Sequence, residues 1–314
     1  MKLKHEEKIN LHPRNIHRGR YDFDKLVIAC PELASFIEVR HQSQTIDFSD
    51  PDAVRLLNEA LLLSEYGVKW DLPDGYLTPP VPGRADYIHY IADLLTESLQ
   101  TEVPRGLQIT GLDIGTGANM IYPILGNAIY GWSFVATDID AAAISNCMNI
   151  IELNPQLADA VSLQLQPNSR FMFRDIILPN DRFAFTICNP PFHSSAEEAE
   201  KSSLRKITNL TGKTPTEALL NFGGHSNELW YKGGELAFVT QMIYESARFT
   251  SQCMWFTTLV SKASNLSAFE KILHKVGAAN TRIIDMAQGQ KSSRILDGHS
   301  SLKRNSEAST FSYS

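Results

Sequence analysis

The spacing of apolar residues along the chain changes near residue 105. Before that point the apolar positions recur with helical periodicity in two segments. The first, residues 53–66, follows the helix-start signal Ser49-Asp50-Pro51. The second follows a linker rich in proline and glycine at residues 73–83, and one of its faces carries Tyr87, Ile88, Ile91, Leu94 and Leu95. The pattern predicts a mostly helical N-terminal extension over residues 21–100.

After Pro104-Arg105-Gly106, apolar runs of strand length alternate with helical patterns. The helical patterns lie at residues 140–153, 235–249 and 266–276. Strands that alternate with helices form a mainly parallel sheet with helices on both faces. We therefore expect an α/β domain over residues 101–290, with strands at residues 107–113, 132–138, 162–166, 183–189, 252–260 and 282–286.

The end of the chain is polar and rich in serine. Residues 297–314 lack the apolar content of a central strand, which is typical of disordered segments. We expect a disordered tail over residues 291–314, which leaves the last strand of the sheet doubtful. A missing strand would expose the edge of its neighbour and lower the stability of the sheet.

Length and composition indicate an enzyme of the cytoplasm. The chain has 314 residues, 43% of them hydrophobic, enough for one large α/β core with additional segments. No apolar run approaches the roughly 20 residues that span a bilayer, so we expect a soluble protein with no membrane partner. The four cysteines have neither metal-ligand nor redox spacing, and we interpret them as reduced core residues.

The charge of the chain is unevenly distributed. Residues 1–20 carry six Lys or Arg against two Glu, a local charge of +4, so the total of −6 leaves −10 for the remainder. Such a basic N-terminal arm on an acidic body can neutralise phosphates. Charge alone equally allows a disordered, solvated tail.

Two polar signals follow the first two predicted strands of the domain. The segment Asp113-Ile114-Gly115-Thr116-Gly117 ends one strand and opens a helix, and its glycines allow the backbone to approach a ligand closely. Met120 occupies the place of a third glycine, which excludes the dinucleotide fingerprint. Asp138 ends the next strand, where a carboxylate accepts hydrogen bonds from ribose hydroxyls. The alternative is that these residues only shape turns.

The segment Asn189-Pro190-Pro191-Phe192 stops the apolar run 183–188 abruptly. Because proline has no N–H donor, the strand ends here and its carbonyls face outward. The Asn189 side chain and the Pro190 carbonyl give two neighbouring acceptors, and Phe192 gives a flat face for stacking. This arrangement suits a planar amino group, with Asn189, Pro190, Pro191 and Phe192 as the catalytic motif.

These motifs, together with residues 11–15, 82–89 and 136–140, resemble the RlmF family of bacterial 23S ribosomal RNA adenine-N6 methyltransferases over about residues 8–290. The resemblance implies a class I, Rossmann-like fold and S-adenosylmethionine as methyl donor. It implies a monomer that acts on 23S ribosomal RNA or a large-subunit assembly intermediate. The cofactor-binding residues that it implies are Arg84, Asp113, Gly115, Thr116, Gly117, Asp138 and Asp175, and the RNA contact that it implies comprises His12, Pro13, Arg14 and Asn15.

Several alternatives stay open from the residues themselves. Taken by itself, Arg84 is better explained as a surface arginine, and Asp175 is equally explained as a turn that ends a strand. Related motifs occur in protein-glutamine methyltransferases, and a third interpretation is a non-catalytic RNA-binding assembly factor. Residues 194–234 are either a substrate lid or a solvated excursion. No metal is expected, because His193 lacks a partner at ligand spacing.

Overall fold

A seven-stranded sheet forms the centre of the protein in a computed structural model, which describes residues 10–40, 42–201, 226–288 and 291–299. The sheet has the strand order β5-β4-β3-β6-β7-β9-β8. A separate hairpin of two strands precedes it. The strands are β1 (Ile37–Arg40), β2 (Ser43–Ile46), β3 (Thr110–Ile114), β4 (Ser133–Asp138), β5 (Val161–Leu165), β6 (Phe183–Cys188), β7 (Cys253–Val260), β8 (Asn280–Gln288) and β9 (Lys291–His299).

The five strands from β3 to β7 are parallel, and β9 lies antiparallel between β7 and β8. Strand β3 is the point where the order reverses, since β4 and β5 lie on one side of it and β6 and β7 on the other. Ile114 pairs with Cys188 at the ends of β3 and β6. The turn after β3 and the motif after β6 therefore leave the sheet side by side, where ligands bind in open α/β sheets.

Helices cover the sheet and build the N-terminal extension. The two helices predicted in the extension are confirmed. Asp50 caps α2 (Pro51–Tyr66), since its carboxylate accepts from the N–H groups of Asp52 and Ala53. A short helical turn, Ser226–Leu229, lies near the site described below. The longer helices are α1 (Phe23–Ala29), α2 (Pro51–Tyr66), α3 (Val81–Leu99), α4 (Ile121–Tyr130), α5 (Ala141–Leu153), α6 (Gly234–Ser246) and α7 (Leu266–Lys275).

Aromatic residues fill the core between the sheet and the N-terminal helices. Trp132, Phe134 and Phe185 are almost completely buried, and the Phe185 ring contacts the other two, with ring centroids 5.1 Å from Trp132 and 5.7 Å from Phe134. Two glycines make room for these rings. A Cβ atom would lie 2.5 Å from the Phe185 ring at Gly111 and 2.4 Å from the Phe134 ring at Gly126. Larger residues at these two positions would overpack the core.

One expectation about the end of the chain was wrong. Residues 291–299, assigned to the disordered tail, form β9, which pairs with both β7 and β8. A strand with neighbours on both sides is held by backbone hydrogen bonds, which polar side chains do not prevent. The extension also contains the β1–β2 hairpin, which its helical pattern did not indicate. Residues 300–314 lie outside the described part.

Other sequence interpretations can be compared with the fold directly. All four cysteines are free and buried, which confirms their interpretation as reduced core residues. Within the described ranges, no helix has both the length and the apolar character required to cross a bilayer. Most of the expected substrate lid, residues 202–225, lies outside the described residues.

Candidate active site

A cavity of about 340 Å³ lies at the carboxyl ends of β3, β4 and β6. Its floor includes the glycine turn after β3 and the Asn-Pro-Pro motif after β6. Residues from the linker before α3 and from the segment before α6 complete its walls. The position agrees with the rule for parallel sheets, and the volume lies in the range of small-molecule sites.

The glycine turn is held against the end of β4. The N–H groups of Gly115 and Thr116 both donate to the Thr137 carbonyl at 2.9 Å. Gly115 and Gly117 have left-handed φ angles of 71° and 61°. A Cβ atom on Gly117 would lie 2.9 Å from the Glu228 carboxylate. The turn therefore requires glycine at this position both for its conformation and for its close contacts.

Asp138 lies on the cavity wall directly beside this turn. Its Oδ2 accepts from the Gly117 N–H and its Oδ1 from the Asp140 N–H, each at 2.9 Å. Burial raises the pKa of Asp138, and the backbone hydrogen bonds oppose that shift. Because each carboxylate oxygen accepts more than one hydrogen bond, acceptor capacity is left for a ligand hydroxyl.

Asp113, which precedes the turn, is completely buried and does not line the cavity. Burial raises the pKa of Asp113 to about 7, Asp138 adds to the shift, and Thr116 and Arg84 act in the opposite direction. Among the described residues no group is in hydrogen-bond geometry with either Asp113 oxygen or with the Thr116 hydroxyl. Unpaired buried polar groups are costly, and Thr116 lines the cavity, so its hydroxyl fits a ligand that completes its hydrogen bonding, whereas Asp113 lies behind the lining residues.

Arg84 places a buried positive charge in the wall of the cavity. It lies in the first turn of α3, is 7% exposed, and donates from Nη1 to the Tyr122 hydroxyl at 3.1 Å. The guanidinium lies 5.7 Å from the centre of the Tyr122 ring. Its burial excludes the interpretation of Arg84 as a surface arginine and makes it available to an anionic group in the cavity.

The Asn-Pro-Pro-Phe segment contributes only two of its four residues to the cavity wall. Asn189 and Pro191 line it, whereas Pro190 and Phe192 do not. The Asn189 Oδ1 atom is buried, and the described residues offer it no hydrogen-bond donor. Immediately after the motif, His193 pairs with the segment before α6 through Tyr231 N–H to His193 O at 2.9 Å. An acceptor of this kind, placed beside the glycine turn, is suited to a ligand N–H.

The part of the cavity wall that follows β5 does not include Asp175, which corrects the expectation that Asp175 binds the cofactor. Asp175 is exposed, has a left-handed φ of 67°, and lies outside the cavity beside Arg174. Gln166, directly after β5, takes the strand-end position instead, with Phe171 and Met172 next to it in the cavity wall. The resemblance implied the Asp175 carboxylate here, whereas the Gln166 amide occupies the position.

Sequence analysis missed several other lining residues because they lie in segments without periodicity. Tyr76 comes from the linker before α3, and its hydroxyl donates to Asp140 at 3.0 Å. Glu228 accepts from the Leu77 N–H at 3.0 Å and so joins the helical turn 226–229 to that linker. The remaining residues of this wall are Trp230, Tyr231 and Lys232.

The part of the basic arm that was expected to contact RNA, residues 12–15, packs against α3. His12 and Asn15 are buried against α3, while Pro13 and Arg14 are exposed. The Asn15 Nδ2 donates to Asp86 Oδ1 at 2.5 Å, and Arg14 donates to Asp93 at 2.7 Å. These residues are therefore engaged within the protein, away from the cavity, and residues 1–9 lie outside the described part. An RNA contact remains a prediction for the exposed Pro13 and Arg14.

Replacing Asn15 with alanine is expected to destabilise the protein by about 1–3 kcal/mol, because it leaves the buried Asp86 carboxylate with fewer donors. The substitution also removes the Asn15 bond to the Pro82 carbonyl at 2.8 Å. Urea denaturation measures the change. Asn10→Ala, the same substitution at an exposed position, is the control. Equal midpoints for the two variants would show that the docked segment contributes nothing.

The strand order with an antiparallel seventh strand, and a cavity between a glycine turn and Asn-Pro-Pro, define a class I methyltransferase. Sequence comparison then identifies the kind of methyltransferase. Residues 5–299 match a family described as RNA methyltransferase, and the chain belongs to that family. The family assignment confirms the resemblance inferred from the motifs.

Two bacterial relatives show how far the similarity extends. "Ribosomal RNA large subunit methyltransferase F" of Flavobacterium johnsoniae (strain UW101) is 59% identical over 294 residues, which are 92% of this chain and 93% of the relative. The protein of the same name from Bacteroides fragilis (strain YCH46) is 52% identical over 92% of this chain and 98% of the relative. The similarity therefore covers nearly the full length of both proteins.

Solved structures of human METTL16 have the same fold. The METTL16 catalytic domain in complex with the MAT2A 3′UTR hairpin 1 matches with a TM-score of 0.78 at 28% identity, over 92% of this chain and 95% of that one. The N-terminal domain of METTL16 in complex with SAH matches with a TM-score of 0.72 at 27% identity, over 92% and 98%. Within the described residues, no group of three His, Cys, Asp or Glu side chains is placed to hold a metal.

Proposed function

We propose that this methyltransferase transfers a methyl group from S-adenosylmethionine to the N6 amino group of an adenine in 23S ribosomal RNA. The observation that carries the proposal is the buried Asn189 oxygen, which lacks a donor among the described residues and belongs to a cavity shared with Asp138. The names of the bacterial relatives support the RNA substrate.

The cavity is lined by acidic, basic and apolar residues, and each kind suits a different part of the methyl donor. Asp138 has acceptor capacity for ribose hydroxyls, and the wall formed by Gln166, Phe171 and Met172 offers a largely apolar surface to a planar base. Arg84 presents a buried guanidinium to a carboxylate. A ligand with a positive charge favours the ionised form of Asp113, whose pKa burial raises to about 7. When bound, S-adenosylmethionine supplies an electrophilic methyl group.

The Asn-Pro-Pro motif activates the target nitrogen by accepting hydrogen bonds from its two N–H groups. The N6 lone pair of adenine is delocalised into the ring, so the nitrogen becomes nucleophilic only as its geometry turns tetrahedral. The Asn189 side-chain oxygen and the Pro190 carbonyl each accept a hydrogen bond from the N6 amino group and stabilise the positive charge that develops there. The residues also hold the nitrogen in line for attack. The base leaves its stack to reach the motif and stacks on Phe192.

A radiolabel assay tests this proposal. The protein is incubated with tritiated S-adenosylmethionine and three substrates: naked 23S ribosomal RNA, a large-subunit assembly intermediate, and the finished subunit. We expect label in N6-methyladenosine after nucleoside analysis, and 16S ribosomal RNA is the control. Label in protein glutamine would support the alternative methyltransferase. Cofactor binding by titration without any transfer would support a non-catalytic RNA-binding factor.

A further inference from the structure

Helix α6 carries a buried glutamate near each of its ends. Glu235 lies in the first turn and is 1% exposed, and Glu245 lies in the last turn and is 5% exposed. The helix dipole favours a negative charge at the N-terminus and disfavours one at the C-terminus. Glu245 therefore occupies a position that is unfavourable both for its burial and for its charge. Strong compensating interactions are required to keep it there.

The compensation comes from three consecutive backbone N–H groups. Glu245 Oε2 accepts from the Met172 N–H at 2.9 Å, and Oε1 accepts from the N–H groups of Phe173 and Arg174 at 3.0 and 2.7 Å. Residues 171–174 belong to no helix or strand, so the carboxylate replaces the partners that regular structure would supply. Hydrogen bonds to a charged acceptor are roughly twice as strong as neutral ones.

The segment that Glu245 holds is a wall of the candidate active site. Phe171 and Met172 line the cavity. The same segment is held from its other side by Gln166, whose Nε2 donates to the Arg174 carbonyl at 2.9 Å. Gln166 is itself fixed, since its Oε1 accepts from the Asn168 N–H at 3.0 Å. Glu245 does not line the cavity, so its effect on a ligand is indirect.

We propose that Glu245 is a positioning residue for the cofactor, which acts by holding the backbone of residues 172–174 so that the wall is formed before the ligand binds. The inference rests on the proposed function of the cavity as the S-adenosylmethionine site. A preformed wall removes the entropy cost of ordering a loop on binding. Loss of Glu245 should therefore weaken cofactor affinity without changing the transfer step itself.

Glu235 is a matched control at the opposite end of the same helix. It accepts from the N–H groups of Ser261 and Lys262 at 2.6 and 3.3 Å and from the Asn265 side chain at 2.8 Å. The loop that it holds follows β7 and does not line the cavity. Both glutamates are buried and both bind a loop through backbone N–H groups. They differ in which loop they hold.

The test compares Glu245→Gln with Glu235→Gln by titration with S-adenosylhomocysteine. Glutamine has a single acceptor oxygen and presents its NH₂ group to at least one of the three N–H groups, which leaves that donor unpaired. We expect affinity about 10-fold weaker for Glu245→Gln, the scale of one unpaired buried donor, and unchanged within about twofold for Glu235→Gln. Steady-state kinetics should show a raised KM for S-adenosylmethionine and a retained kcat for Glu245→Gln.

Each result of the comparison has a defined meaning. Unchanged affinity in Glu245→Gln, or equal losses in both variants, would overturn the positioning role. Failure of the wild-type protein to bind S-adenosylhomocysteine would overturn the proposed function, on which this inference rests. Hydrogen exchange on the wild type provides a measurement that does not depend on folding of a variant. Because the wall is formed before the ligand binds, the amides of residues 172–174 should already exchange as slowly without ligand as those of residues 261 and 262, and fast exchange at 172–174 alone would contradict the inference.

Discussion

Asn189→Ala is expected to lower the rate of methyl transfer by at least ~100-fold, the scale of losing one positioned acceptor of developing charge. The Asn189 oxygen is buried and has no donor among the described residues, so no intramolecular hydrogen bond is lost with it. Affinity for the cofactor should stay within a few-fold of wild type, because the ribose and the carboxylate are assigned to Asp138 and Arg84.

Single-turnover transfer to 23S ribosomal RNA measures this effect, and titration with S-adenosylhomocysteine measures the affinity separately. Asn180→Ala is the matched control, since Asn180 is exposed and lies outside the cavity. Near-normal turnover in Asn189→Ala would remove this residue from the mechanism. A parallel loss of cofactor affinity would instead assign Asn189 to the cofactor site.

The sequence predicts the sheet and the place where the candidate site residues meet, because both depend on local signals. Alternation of strand and helix patterns determines a parallel sheet. In such a sheet the residues that follow neighbouring strands necessarily meet at one edge, which brings Gly115, Asp138 and Asn189 together. A short motif at each strand end is thus sufficient to place a site whose members are far apart in the chain.

The failures involve partners that no local pattern reveals. Asn15 is one example, because its partner Asp86 lies 71 residues later and a polar residue that contacts RNA has the same sequence signature. Strand β9 is another, because its pairing with β7 and β8 uses backbone groups that every residue type provides. Asp175 shows the same difficulty, since no local pattern distinguishes it from Gln166, which follows the strand directly and lines the cavity.

Asp138→Ala is expected to weaken cofactor binding by roughly 1–3 kcal/mol, through the loss of charge-assisted hydrogen bonds to ribose hydroxyls. The substitution has a second consequence within the protein. It removes the acceptor for the Gly117 N–H, which Asp138 holds at 2.9 Å, so the glycine turn also loses a contact that fixes its position. Both effects reduce affinity, and the variant therefore measures their sum.

Asp138→Asn separates the two effects of Asp138. An asparagine oxygen can still accept from the Gly117 N–H and hold the turn, but the negative charge toward the ribose is lost. We expect an affinity for S-adenosylhomocysteine between those of Asp138→Ala and the wild type. Asp159→Ala, at an exposed aspartate, is the control for the titrations. If Asp138→Ala and Asp138→Asn both bind like the wild type, Asp138 serves only to end β4. If Asp138→Asn binds like the wild type and Asp138→Ala does not, the carboxylate acts by holding the turn, and the ribose contact is discarded.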